Sequence, residues 1–259
     1  GGGGRPPPPP PPPPRARAGG GRGRGGRAGY PHPPAGGRRG RPWYAEPGNA
    51  LLFSVACVLP RPLEGLAGLS LAVGVALVDA LRSLPVAGPG QIALKWPNDV
   101  LLEGDKLAGI LIETAWSTDD ASAVVIGIGT NVKGADELAA KVGALNADVP
   151  PQARGTMPTA LQRALPNANL TDTLAAELNA LEPALQRFGA EGFAPFQARW
   201  NAVHAYAGRE VVLLEQGVEL TRGVATGVDE RGQLLLDTAT GRQTIATGDV
   251  SLRLADGAA

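Results

Sequence analysis

The chain has 259 residues, enough for one large domain or two smaller ones with a real core. Its formal net charge of zero averages two unlike pieces. Residues 1–41 hold nine of the 24 basic residues and no Asp, Glu, Leu, Ile, Val or Phe, whereas the remainder sets 15 basic residues against 24 acidic ones, a net charge of −9. An acidic body argues against nucleic acid as the main partner, and a single cysteine, Cys57, excludes an internal disulfide and a thiolate zinc cluster.

His32 and His204 lie far apart and read as surface or packing residues, so no metal site is expected. A reducing, cytoplasmic setting fits the cysteine usage.

Residues 1–35 are low-complexity Gly, Pro, Arg and Ala text without an apolar core, so they are not a secretory signal. From Leu51 the order becomes legible. Leu51–Leu59 is a strand between "EPGN" and "PRP". A helix is expected over Gly65–Leu84, with apolar positions Leu66, Leu69, Val73, Leu77 and Leu81 at helical spacing. Its uncharged run, Gly65–Val78, is too short to span a bilayer, so it reads as a buried core helix.

A short strand "QIALKW" follows. "DVLLEGDKLAGILIETAW" then reads as a hairpin around Glu103-Gly104-Asp105, and "SAVVIGIGTNV" as another apolar strand. Residues 133–170 are polar and proline-punctuated, with short helices at best. Thr171–Phe188 is helical, with Thr171 or Asp172 as N-cap and Pro183 kinking or dividing it. A short helix is expected over Phe193–Asn201. From Gly208, alternating segments separated by Gly turns predict a small β-barrel. The expected domains are low-complexity text over 1–35, an α+β body over 36–206 and a β-domain over 207–255.

Three clusters could carry chemistry. "GGRRGRPW", Gly36–Trp43, offers backbone amides and guanidinium groups to a phosphate, or is incidental to its basic flank. "KWPNDVLLEGDKLAGILIE", Lys95–Glu113, places a lysine at a strand end where a proline stops the ladder. Lys95 there suits an anionic group, or is a solvated strand end beside a structural Asn-Asp turn. "GIGTNV", Gly127–Val132, permits close backbone approach to a ligand with Asn131 facing a base edge, or is a bulge and a turn.

Together, in this order, the clusters resemble the biotin protein ligases, which show an arginine loop followed by Trp, then KWPND, then KLAGIL, then GxGxNV and a small terminal β-domain. The matching stretches are Gly37–Trp43, Lys95–Val100, Lys106–Glu113 and Gly127–Val132. The resemblance implies a class II synthetase-like, biotin/lipoate ligase mixed sheet with helices, followed by an SH3-like barrel. It also implies ATP and biotin as substrates with Mg²⁺, the biotin carboxyl carrier protein of acetyl-CoA carboxylase as acceptor, and room for a homodimer.

By the same resemblance, Lys95 is the catalytic lysine that bridges carboxylate and α-phosphate. Gly37, Arg38, Arg39, Gly40 and Arg41 fold over the adenylate, Trp43 stacks on adenine, and Asn131 bonds its edge. Gly127 and Gly129 line the site with backbone, and Asn98 or Asp99 positions Mg²⁺ and phosphates. Lys106 supports the hairpin or the adenylate region rather than catalysing.

The chain also departs from the family. The family places a further segment and a Ser/Thr-Thr-Asn biotin contact ahead of the arginine loop, and positions 1–34 hold none of it. The loop Ala35-Gly36-Gly37-Arg38-Arg39-Gly40-Arg41 lacks one arginine. Gly, Pro, Arg and Ala share GC-rich codons, the chain has four lysines, and its one methionine is Met157. Residues 1 to about 35 are therefore expected to be a wrong-frame reading, with poor stability and weak or absent ligase activity as the consequence for the chain as written. The alternatives are an RNA- or anion-binding Arg/Gly arm and a lipoate ligase relative, which KWPNDV and the terminal barrel disfavour. No helix-turn-helix is present, so DNA binding is not expected.

Overall fold

The computed structural model describes residues 46–147, 154–215, 217–246 and 250–255. The low-complexity stretch and the Gly37, Arg38, Arg39, Gly40, Arg41 and Trp43 loop lie outside them.

The first sheet is built from β1 (Ala50–Leu59), β2 (Ile92–Lys95), β3 (Asp99–Leu102), β4 (Asp105–Ser117) and β5 (Ser122–Asn131), in the order β1-β5-β4-β3-β2. Every ladder is antiparallel. The parallel pairing that a mixed sheet implies appears among the described residues only as two isolated bridges, Leu94 with His204 and Lys106 with Pro158. The β3–β4 hairpin closes through Glu103 and Gly104, both at positive φ (54° and 90°), the two-residue turn whose twist matches its strands.

Helix α1 (Leu69–Ser83) has 11 of its 15 residues buried, because strands β2, β3 and β4 cover one side and helices α3 (Leu170–Glu191) and α4 (Ala194–Ala202) cover others. A helix apolar all round is what a fully covered position selects. Leu63–Ser83 is long and apolar enough to cross a membrane by composition alone, yet its Leu69–Ser83 part is mostly buried in this core.

Three local features differ from the sequence expectation. Helix α2 (Ala135–Leu145) is a full 11-residue helix with no buried residue, and Asp136 and Glu137 in its first turn favour its start. The N-cap of α3 is Asn169, whose side-chain oxygen accepts from the Asp172 amide at 2.9 Å. Pro183 does not divide α3. It sits on the exposed face, while Thr173, Glu177, Leu181, Ala184 and Phe188 pack on the opposite face and hold the helix together.

The second sheet contains β6 (Glu210–Glu215), β7 (Val218–Val228), β8 (Leu234–Thr238), β9 (Gly241–Ile245) and β10 (Val250–Leu254), antiparallel in the order β10-β6-β7-β8-β9. It is the small β-domain that the alternating pattern predicts. Among the described residues no ladder joins β10 to β9. The wholly buried Trp96 bolts this sheet to the first, donating its indole N–H to the Gly232 carbonyl at 3.1 Å. Asn201 and Gln197 of α4 add bonds to both backbone groups of Val228.

Among the described residues, one buried polar contact joins two side chains. Thr130 Oγ1 donates to Glu177 Oε1 at 2.7 Å, and Glu177 Oε2 is buried with no partner among the described residues. Burial pushes the Glu177 carboxyl up to about 7, with the Thr130 bond opposing it only in part. The folded protein therefore keeps this proton at pH values where the unfolded chain, at its ordinary 4.5, has released it. This contribution is fully present below pH 4.5 and is lost as pH rises towards about 7. Glu177→Gln removes the slope. In urea unfolding, the variant should gain on the order of 2 kcal/mol relative to the parent chain between about pH 4.5 and pH 8.

Candidate active site

Strand β2 ends at Lys95 because Trp96-Pro97, a cis peptide bond, and Asn98 turn the chain straight back into β3. Lys95 and Asp99 thereby become register partners. Lys95 Nζ lies 3.1 Å from Asp99 Oδ2, and Lys106 Nζ from β4 lies 2.5 Å from Asp99 Oδ1. One carboxylate thus sits between two ammonium groups. Lys95 is 4% exposed.

Burial pulls the Lys95 ammonium down to about 8. The Asp99 charge pushes back up, while Arg253 and Lys106 add to the lowering. Burial alone would raise the Asp99 carboxyl, but Lys106 and Lys95 outweigh it and hold the group well below the usual carboxylate range.

The register carries this charged end across the whole sheet. Lys95 pairs with Asp99, Asp99 with Gly109, Gly109 with Gly129, and Gly129 with Leu52. Cross-strand partners share a face. A single rung therefore runs from an ammonium–carboxylate pair, over two residues without side chains, to Leu52, which is 44% exposed. At strand spacing this rung is about 19 Å long. The next rung sets Leu111, Gly127 and Ser54 side by side. The atoms nearest to a Cβ on Gly127 would be those of Leu111 and Ser54, at 3.6–3.8 Å.

Asn131 ends β5 on this same face, 3% exposed, and its amide nitrogen donates to the carbonyls of Thr159 (2.9 Å) and Lys106 (3.4 Å). Asn98 also serves the framework. Its side-chain amide donates to the Ile110 carbonyl at 2.8 Å, and its own carbonyl accepts from the Ile110 amide at 3.0 Å, which extends β3 by one false pair. Both Asp99 oxygens face lysines. Asn98 and Asp99 therefore do not fit the metal-positioning role expected for them, since a dication at Asp99 would meet two ammonium groups.

The geometry adds residues that carried no sequence signal. Thr156 Oγ1 accepts from Lys95 Nζ at 2.8 Å, across 61 positions of chain. Segment 156–159 is laced to Lys106, whose amide donates to the Met157 carbonyl while the Thr159 amide donates to the Lys106 carbonyl. Tyr206 and, from the second sheet, Arg253 also act on this cluster. The register itself needed all five strands to be aligned, which spacing alone does not reveal. Beside the site, a cleft of about 940 Å³ shares Pro97, Asn98 and Leu111 with it but not Lys95.

Comparison with known proteins now decides the family. Residues 32–131 match the biotin/lipoate A/B protein ligase family, and residues 206–253 match the biotin protein ligase C-terminal domain. A biotin–[acetyl-CoA-carboxylase] ligase of Paracoccus denitrificans is 38% identical over 221 residues, which covers 83% of this chain and 84% of that one. The chain belongs to the biotin protein ligase family.

Another member, the bifunctional ligase/repressor BirA of Escherichia coli K12, is 33% identical over 85% of this chain, which spans 64% of that protein's length. The biotin protein ligase of Aquifex aeolicus, solved in complex with biotin and ATP, superposes with a TM-score of 0.67 at 28% identity. The match covers 85% of this chain and 84% of the other.

In this ligase-family chain, Asp99→Asn leaves two ammonium groups, one of them deeply buried, without the carboxylate between them. Urea unfolding near pH 7 should show a loss of about 3 kcal/mol. Because the folded Asp99 value is depressed, the difference should shrink as pH falls below the ordinary 3.8.

Proposed function

We propose that the chain joins biotin to ATP as biotinyl-5′-adenylate, releasing pyrophosphate, and passes the biotinyl group to a lysine of the biotin carboxyl carrier protein of acetyl-CoA carboxylase. The rung from Lys95 to Leu52 is the observation that carries this reading. Its cationic end suits a carboxylate or phosphate, its glycine centre admits a ligand against the backbone, and its far end is apolar. The family membership supports the same substrates, since the Aquifex relative was solved with biotin and ATP. The matched C-terminal domain favours biotin over lipoate.

In the first step a carboxylate oxygen attacks the α-phosphorus, and the bond to the bridging oxygen of pyrophosphate breaks. Two anions must approach, and their repulsion is the barrier that fixed positive charge lowers. Lys95, held ionised by Asp99, supplies that charge at the point of approach. In the second step the neutral amine of the acceptor lysine attacks the acyl carbon, AMP leaves with the bonding pair, and the amine loses a proton. Lys95 then stabilises the departing phosphate.

Gly37, Arg38, Arg39, Gly40 and Arg41 close over the phosphates in this reading, Trp43 stacks on adenine, and Gly127, Gly129 and Asn131 border the adenylate. Mg²⁺ enters as part of the ATP substrate, carried by phosphate oxygens. A cytoplasmic location belongs to the same reading, because ATP and the carrier protein are both co-substrates.

Lys95→Ala should abolish biotin-dependent pyrophosphate release while circular dichroism and melting temperature stay close to those of the parent. Release near the parent rate would remove Lys95 from its role.

A further inference from the structure

We propose that Thr156 is a positioning residue for Lys95, and that its hydroxyl and the Asp99 carboxylate form a two-point clamp directing the third ammonium N–H at the substrate anion. This rests on the ligase reading for its substrate but on geometry for the clamp.

An ammonium has three donors in a fixed tetrahedral arrangement, so fixing two of them sets the direction of the third. Lys95 donates to Asp99 Oδ2 at 3.1 Å and to Thr156 Oγ1 at 2.8 Å. Among the described residues no other acceptor takes its remaining N–H. The Tyr206 phenol lies close to the Thr156 hydroxyl.

Thr156 is also held firmly for a residue outside any helix or strand. Two residues on, Pro158 bridges to Lys106, and the flanking Met157 carbonyl and Thr159 amide bond to the Lys106 backbone at 2.6 and 2.9 Å. Thr159 carries on to Asn131. Two residues before Thr156, the Arg154 carbonyl accepts from Arg253 Nε of β10 at 3.0 Å. Segment 154–159 is therefore a strap joining the Lys95 turn, the Lys106 strand, the Asn131 strand end and the second sheet, and Thr156 is the residue through which it hydrogen-bonds the lysine. The charged and titratable groups facing Lys95 are Asp99 from β3, Lys106 from β4 and Arg253 from β10, with Tyr206 behind Thr156.

The test compares Thr156→Val, which keeps the shape and removes the hydroxyl, with Thr156→Ser, which keeps the hydroxyl. Two quantities are read on the full chain: steady-state kinetics of biotin-dependent pyrophosphate release, and the pH midpoint for acetylation of Lys95 by acetic anhydride, followed by peptide mass spectrometry. In the valine variant kcat should fall about tenfold with both KM values within about twofold. Its labelling midpoint should move to lower pH, because an acceptor that favours the charged amine has gone. The serine variant should restore both.

Parent values in the valine variant, or equal impairment of the two variants, overturns the proposal. If the valine variant loses its melting transition, Thr156→Ala is read in its place, and loss of the fold there too assigns Thr156 a structural role and overturns the clamp. If the parent chain releases no pyrophosphate, as the altered N-terminal stretch would also cause, the labelling midpoints alone decide the clamp.

Discussion

The arrangement around Asp99 constrains everything else in the site. A buried ammonium is tolerated only with a counter-charge, and here one carboxylate is shared by two lysines. Arg253 adds positive charge to the same field. A hydrophobic substitute for these residues would pack more cheaply, so the cluster has the character of a site completed by an anion. In the proposed reading Lys95 is held ready in charge and direction before any ligand arrives, which is the condition under which electrostatic stabilisation is most effective.

Such a cluster needs a rigid frame, and the frame is the strand register. The tight turn through Trp96, Pro97 and Asn98 brings Lys95 and Asp99 into one pair. Asn98 then mimics a strand residue against Ile110. Trp96 fastens the turn to the second sheet through Gly232, so the small β-domain acts on the site from behind as well as through Arg253. The turn residues that look most chemical in the sequence thus divide into two groups. Lys95 and Asp99 carry charge, whereas Trp96 and Asn98 hold the turn in place.

The sequence made the elements legible because each has its own local signal. Bounding turn residues marked β1, an apolar run marked β5, helical spacing marked α1, and Glu103-Gly104 marked the hairpin. The motif residues Lys95, Gly127, Gly129 and Asn131 were legible too, through their resemblance to a family. What stayed hidden was non-local. The pairing of Gly109 with Gly129 depends on register, and the bond from Thr156 to Lys95 depends on a polar segment without periodicity. Asn169 was missed as a cap because Thr171 and Asp172 carry equally good capping side chains, and Pro183 misled because its solvent-facing position could not be read from spacing alone. The surroundings of Asn98 and Asp99 were hidden for a similar reason: strand pairing sets the Asn98 amide on the Ile110 carbonyl and brings Lys95 and Lys106 to the Asp99 oxygens.

Strand β5 shows how the site and the core coexist. Its residues alternate, so Gly127, Gly129 and Asn131 face the rung while Ile126, Ile128 and Thr130 face α1 and α3. Glu177 meets Thr130 on the core side, where no charged neighbour offsets its burial. Ionising that carboxyl would place a charge directly behind the Gly129–Asn131 backbone. Peptide planes do not screen a charge, so through the low-dielectric sheet it would act on the other face as well. The two faces therefore carry different but coupled groups. On one a buried cation is held against a carboxylate, and on the other burial raises a carboxyl. The peptide planes of a single strand lie between them.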